Sequence, residues 1–183
     1  VLKGVEPDQL LAGSFADSID KLLGRYQGHA VLIFVDPFGL AFDRVSLESI
    51  LRRSSSGQPI DVLFHFSVST VARMARAELA NAWAGSPPGP NGIKLDAALG
   101  DVDWRATFAQ ADDDDRATHV ALEIAEHFGL AVGSATGVRH TSIEVRQRPD
   151  LLPKYVLMLF SKLESAHWDF ADQAGSAYVD WLH

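Results

Sequence analysis

Ala30-Val-Leu-Ile-Phe-Val-Asp36-Pro37-Phe38-Gly39 constrains the fold of this chain more than any other stretch. Six apolar residues, mostly β-branched or aromatic, run without a polar break into an acid, a proline and a glycine. Such a run predicts a strand buried on both faces, in the middle of a parallel sheet. Proline cannot continue the ladder and glycine permits a sharp turn, so the strand must stop at Asp36. A carboxylate at the carboxyl end of a central parallel strand sits where open α/β sheets bind ligands. Asp36 is therefore the first candidate for chemistry.

The neighbouring elements extend this pattern to an α/β fold. Phe15, Ile19, Leu22, Leu23 and Tyr26 recur at helical spacing, with Ser14 as a cap and Gly28 closing a helix over 15–26. Ser46 is the expected cap of a short helix that ends at Ser54-Ser-Ser-Gly57. The apolar run 60–66 then predicts a second buried strand, so the two strands and their crossover form a βαβ unit. Ser69 or Thr70 is expected to cap the next helix, and Gly85 to Gly92 reads as a surface loop. Short helices are expected within 94–110. A further helix is expected to follow Asp112–Asp115 and end at Gly129. Strands at 136–146 and 154–161 lie too close in sequence for a crossover and should pair antiparallel, the first as an exposed edge. A final helix is expected to place Trp168, Ala171, Gly175, Tyr178 and Leu182 on one face.

Composition bounds the function. The net charge of −8 argues against broad nucleic-acid binding, because contact with a phosphate backbone is driven by Lys and Arg. The cationic stretch Arg139, His140, Arg146, Arg148 and Lys154 is better read as charges that protect an edge strand. With no cysteine, the chain carries no disulfide or thiolate metal site. No apolar run approaches the roughly 20 residues of a membrane span, and no secretory leader is present, so the default expectation is cytoplasmic. The four acids at 112–115 lack EF-hand spacing, and His119, Glu123 and His127 share their helix with an adequate apolar face. Metal binding is not expected at either place.

The order of elements resembles the second half of a class I, Rossmann-like methyltransferase, with a parallel sheet ending in an antiparallel strand pair and helices on both faces. Locally the sequence is most similar to the three-Cys-motif partner protein (TcmP) family. The resemblance rests on Phe34-Val-Asp36-Pro37-Phe38-Gly39, on Asp61-Val-Leu-Phe-His-Phe66 and on Tyr155 to Lys162. It implies one domain over 1–183, incomplete at its N-terminus, where the first residue is Val1 rather than methionine. It also implies a methyltransferase using S-adenosylmethionine (SAM). Leu10-Leu-Ala-Gly13-Ser14-Phe15 resembles the turn that flanks the adenine, so Gly13, Ser14 and Phe15 are the expected cofactor contacts. Asp36, Pro37 and Phe38 take the place of the catalytic D/N-P-P-aromatic motif, with Gly39 and His65 on the substrate side.

The chain departs from that family at the donor side. The Gly-rich loop after a first strand is absent, as is an acid ending a second strand to bind the ribose. One edge of the Ala30–Val35 strand would then need another partner, such as a second subunit. Hydrolase and nucleotide-hydrolase readings fare worse, since neither G-x-S-x-G nor G-x-x-x-x-G-K-[ST] occurs. The alternative from another class is a non-catalytic α/β module that dimerises or docks on a partner protein.

Overall fold

A computed structural model describes residues 15–37, 40, 42–55, 57–83, 87, 89–109, 111, 114–148 and 150–182. The element order is α1 (Phe15–Arg25), β1 (Val31–Val35), α2 (Arg44–Ser55), β2 (Ile60–Phe66), α3 (Val68–Trp83), α4 (Pro90–Leu99), α5 (Trp104–Phe108), α6 (Asp114–Thr136), β3 (Arg139–Val145), β4 (Tyr155–Ser161) and α7 (Glu164–Leu182). The strands form one open mixed sheet in the order β1-β2-β4-β3. β1 runs parallel to β2, and β4 is inserted antiparallel between β2 and β3. The α/β class, the parallel pair and the late antiparallel pair all agree with the sequence reading, and β3 is an edge as expected. Among the described residues, no helix is long and apolar enough to cross a membrane.

The two faces of the sheet differ. Ile33 and Val35 of β1, the even positions of β2 from Ile60 to Phe66, and Val156, Met158 and Phe160 of β4 are all buried in one core. Leu47, Ile50 and Leu51 of α2, Val71 and Ala75 of α3, and Ile124 and Phe128 of α6 close over that face. Phe128 packs against both Phe64 and Phe66, with ring centroids 5.6 and 5.7 Å apart. On the opposite face α7 packs against β3 and β4. His167 pins it there, with Nδ1 2.8 Å from Thr141 Oγ1 and Nε2 3.1 Å from the Ser161 carbonyl.

This asymmetry corrects the leading expectation. The 30–35 run is not a central strand buried on both faces: among the described residues β1 is an edge strand, and β2 and β4 are interior. Leu32 and Phe34 are 68% and 58% exposed. An apolar run reports that a strand is β-prone and partly buried, but ladder partners and covering helices decide how many faces are closed.

Several boundaries move for identifiable reasons. Tyr26 lies past the end of α1 and is exposed. α2 begins before Ser46 because Asp43 is the capping side chain, accepting from Ser46 N at 2.8 Å and from Ser46 Oγ at 2.9 Å. α3 begins at Val68, with Ser67 rather than Ser69 or Thr70 just before it. Pro90 to Gly92, expected in a loop, form the first turn of α4, since proline at N1 is pre-set for a helix. Arg44 ties α2 to the end of α4 and the turn after it, bonding Glu48 Oε1 on its own helix at 2.6 Å, the Leu99 carbonyl at 3.3 Å and the Asp101 carboxylate.

The largest revision is α6, which passes through Gly129 and ends only at Thr136, before Gly137 at φ +70°. Gly129 is a clearance position instead of a C-cap. A Cβ there would lie 2.5 Å from Cδ2 and Nε2 of His140. The imidazole thus lies against the helix backbone, with Phe160 on another side (centroids 5.9 Å apart) and Glu126 Oε1 3.5 Å from Nε2. Thr136, expected in a strand, is helical and donates its hydroxyl to the Val132 carbonyl at 2.7 Å. On α7, Trp168, Ala171 and Gly175 are exposed, and among the described side chains the half-buried ones are Ala166, His167, Phe170 and Ala174; the side chains of Tyr178 and Leu182 lie outside the described ones.

Candidate functional site

The parallel pairing of β1 and β2 brings two of the predicted residues together. Val35 is paired with Phe64, so the next residues along each strand, Asp36 and His65, adjoin on the open face at the carboxyl end. His65 Nδ1 lies 2.7 Å from Asp36 Oδ1. The Asp36 side chain is 60% exposed and the His65 side chain 22%. Nδ1 itself is buried and has no hydrogen-bond partner among the described residues, so the pair is a close polar contact rather than an aligned hydrogen bond. Tyr155, the first residue of β4, holds the imidazole edge-on, with ring centroids 4.5 Å apart at 69°.

The backbone around this pair is tied down. Ser67 Oγ donates to Thr70 Oγ1 at 2.8 Å where β2 passes into α3. Ser69 N donates to the Lys154 carbonyl, and Lys154 N to the Val145 carbonyl, linking α3, β3 and the start of β4. The arrangement sets an accessible carboxylate, a sheltered imidazole and an aromatic wall on a rigid sheet end. A carboxylate–imidazole pair of this kind can orient a proton-bearing nucleophile and receive its proton.

Of the remaining predicted residues, Pro37 follows Asp36 and is half-buried. Phe38, Gly39, Gly13 and Ser14 lie outside the described residues, and Phe15 is the first residue of α1. Tyr155 was missed by sequence reasoning. Its one signal was an aromatic at the very start of an apolar strand.

Three cavities lie away from Asp36 and His65. One of about 620 Å³ runs between α6 and β3 along Glu126, Leu130 and His140. Another of about 440 Å³ sits at the amino end of β1 and β2 beside Leu32, Asp61 and Leu163. The third, about 470 Å³, lies between α3 and α6. Among the described residues there is no cluster of three or more side chains suited to a metal ion.

No family model matches the chain, and neither do any curated protein or solved structure at a significant level.

Away from that end, the clearest electrostatic feature is structural. Asp96 accepts both guanidinium nitrogens of Arg105, at 2.5 and 2.9 Å, and the indole N–H of Trp104 at 2.9 Å. The Arg105 bond holds the Asp96 carboxyl below its ordinary range, outweighing the opposing effect of burial. The same bond raises the Arg105 pKa. This set of contacts joins α4 to α5.

Proposed function

We propose that this chain is a methyltransferase-like domain of the three-Cys-motif partner type, working on an unidentified acceptor in a cytoplasmic setting. The observation that carries the reading is the Asp36–His65 contact at the carboxyl end of the parallel pair. The change from parallel to antiparallel pairing across β1-β2-β4-β3 also supports it, because the resemblance implies a sheet of that kind.

SAM supplies, when bound, a methyl group on an electrophilic sulfonium. The described residues fit the acceptor side of such a reaction. Asp36 is exposed enough to accept a hydrogen bond from the N–H or O–H of an acceptor and to take the proton it sheds. His65 flanks that carboxylate and Tyr155 limits the imidazole's rotation, so the geometry is set before the acceptor arrives. The described residues around Asp36 include no nucleoside cradle, and the donor side rests on Gly13, Ser14 and Phe15 by resemblance alone.

Titration of the folded protein with SAM, followed by amide NMR, tests the reading. Saturable shifts at Asp36, His65 and Phe66 are expected, with none along β3. A folded protein whose spectrum does not change at millimolar SAM would overturn it.

A second reading, a non-catalytic docking module, has its own observation. Leu32 and Phe34 are exposed on an edge strand that carries no charge, proline or bulge within Val31–Val35. Light scattering after size exclusion separates the two: this reading requires a stable dimer or hetero-complex, and a monodisperse monomer that binds SAM counts against it.

A further inference from the structure

We propose that the chain pairs with a second copy of itself through β1, in a two-fold antiparallel ladder centred on Ile33. This occupant belongs to the docking reading above and rests on the same exposed edge. Among the described residues the sheet has two edges, β1 and β3, and their side chains differ. β3 carries Arg139, His140 and Glu144, charged or ionisable groups that discourage a further strand. β1 is built only of Val, Leu, Ile and Phe, and its Leu32 and Phe34 are 68% and 58% exposed. The preceding helix is anchored away on α2, where Asp20 of α1 lies 2.5 Å from Arg53.

The backbone pattern selects the partner. Val31 N donates to the Pro59 carbonyl, so Val31, Ile33 and Val35 direct their backbone groups to β2. Leu32 and Phe34 each hold out one donor and one acceptor on the other side. A two-fold axis through Ile33 sets Leu32 opposite the partner's Phe34, and Phe34 opposite the partner's Leu32. Each pair exchanges both of its N–H···O bonds, and Ile33 meets the partner's Ile33 at a non-hydrogen-bonded position. The outward groups of Leu32 and Phe34 are thereby all satisfied. The same register gathers four exposed apolar side chains into one patch on the open face. It also sets Asp36 opposite Ala30 of the partner subunit, so the two carboxylates do not oppose each other.

Symmetry limits the assembly to two copies. An isologous contact uses the same patch on both and closes on itself. The joined sheet then ends in β3 on both sides, the edge that carries the charges. A ladder this short is smaller than a standard interface, so association is weak and reversible, and dilute protein keeps β1 uncovered. Asp36 and His65 lie on the open face beyond the end of β1, so SAM binding succeeds or fails independently, in its own titration.

Light scattering and amide hydrogen exchange, followed without SAM from low micromolar to near-millimolar protein, test the pairing. A reversible shift from monomer to dimer is expected, with protection at Leu32 and Phe34 rising alongside it. Ile33 and Val35 should stay protected throughout. Phe34→Lys should weaken association about tenfold or more, because it sets an ammonium against the partner's Leu32 and near its own symmetry mate. Its thermal unfolding should match that of the native chain. Cross-linking reads the register, since the native chain has no cysteine. Leu32→Cys mixed with Phe34→Cys should give a mixed disulfide dimer under mild oxidation. Either variant alone should give far less, because like positions are offset along the ladder beyond easy disulfide reach. A monomer at every concentration, association unchanged in Phe34→Lys, or equal cross-linking of the mixed and single variants would each overturn the proposal. Protection of Leu32 and Phe34 in the dilute monomer would also overturn it, by showing the edge covered within one chain.

Discussion

One face of the sheet is closed and the other largely open, and stability and chemistry divide between them. On the closed face Phe64 and Phe160 are fully buried among side chains from α2, α3 and α6. On the open face Leu32 and Phe34 are exposed, and the neighbouring Asp36–His65 pair reaches solvent. The difference teaches that the fold is held from one side. Residues of β1 and β2 that point to the helices carry the folding energy, while their immediate neighbours are exposed on β1 and half-buried on β2.

Substitutions that respect this division should differ sharply in cost. Phe64→Ala removes a fully buried ring that packs against Phe42 and Phe128, with centroids 4.8 and 5.6 Å away. A loss of about 3–5 kcal/mol in denaturant unfolding is expected, and a loss below about 1 kcal/mol would break the claim that this face holds the fold. Gly129→Ala adds a methyl against the His140 ring and should cost about 1–3 kcal/mol, despite alanine's better helix propensity. Combining it with His140→Ala should recover most of that loss, and simple additivity of the two costs would contradict the clearance role.

On the open face the expected effects are small. Phe34→Lys should leave stability within about 0.5 kcal/mol of the native chain by thermal unfolding; a loss of several kcal/mol would mean that this face is covered. Asp36→Ala should likewise keep the melting temperature nearly unchanged, and a large loss would make Asp36 a structural cap. The smallest effect concerns acid. Because the folded Asp96 pKa lies below its ordinary value, its bond to Arg105 stabilises the fold above about pH 4 and is lost as pH falls through the folded pKa. Arg105→Ala should therefore flatten the fall in melting temperature below pH 4 slightly, and an unchanged acid limb would show that the pair contributes nothing.

How much of this was legible in the sequence depended on whether the signal was local. The run 60–66 gave its strand to the residue, because alternation and β-branching need no distant partner to be read. The antiparallel pairing of β3 with β4 followed from the short connection between them. Gly129 misled, since a glycine that makes room for a ring from another element looks the same in sequence as one that ends a helix. The Val31–Val35 run misled for a related reason: exposure of Leu32 and Phe34 is set by which elements lie over and beside them. At the site, Asp36 was visible from its strand-end position. Its contact with His65 required the register, and the role of Tyr155 required the order in which β4 is inserted.

The central claim is that β1 is an open edge whose outer side is available to a ligand or partner. Val31 N donates to the Pro59 carbonyl, so in a parallel ladder the alternate amides of Ile33 and Val35 also face β2, and those of Leu32 and Phe34 face outward. Amide hydrogen exchange of the folded chain measures this directly. The account predicts strong protection at Ile33 and Val35 and near-unprotected exchange at Leu32 and Phe34. Uniform protection across all five residues would contradict it, showing that a further strand already covers the edge.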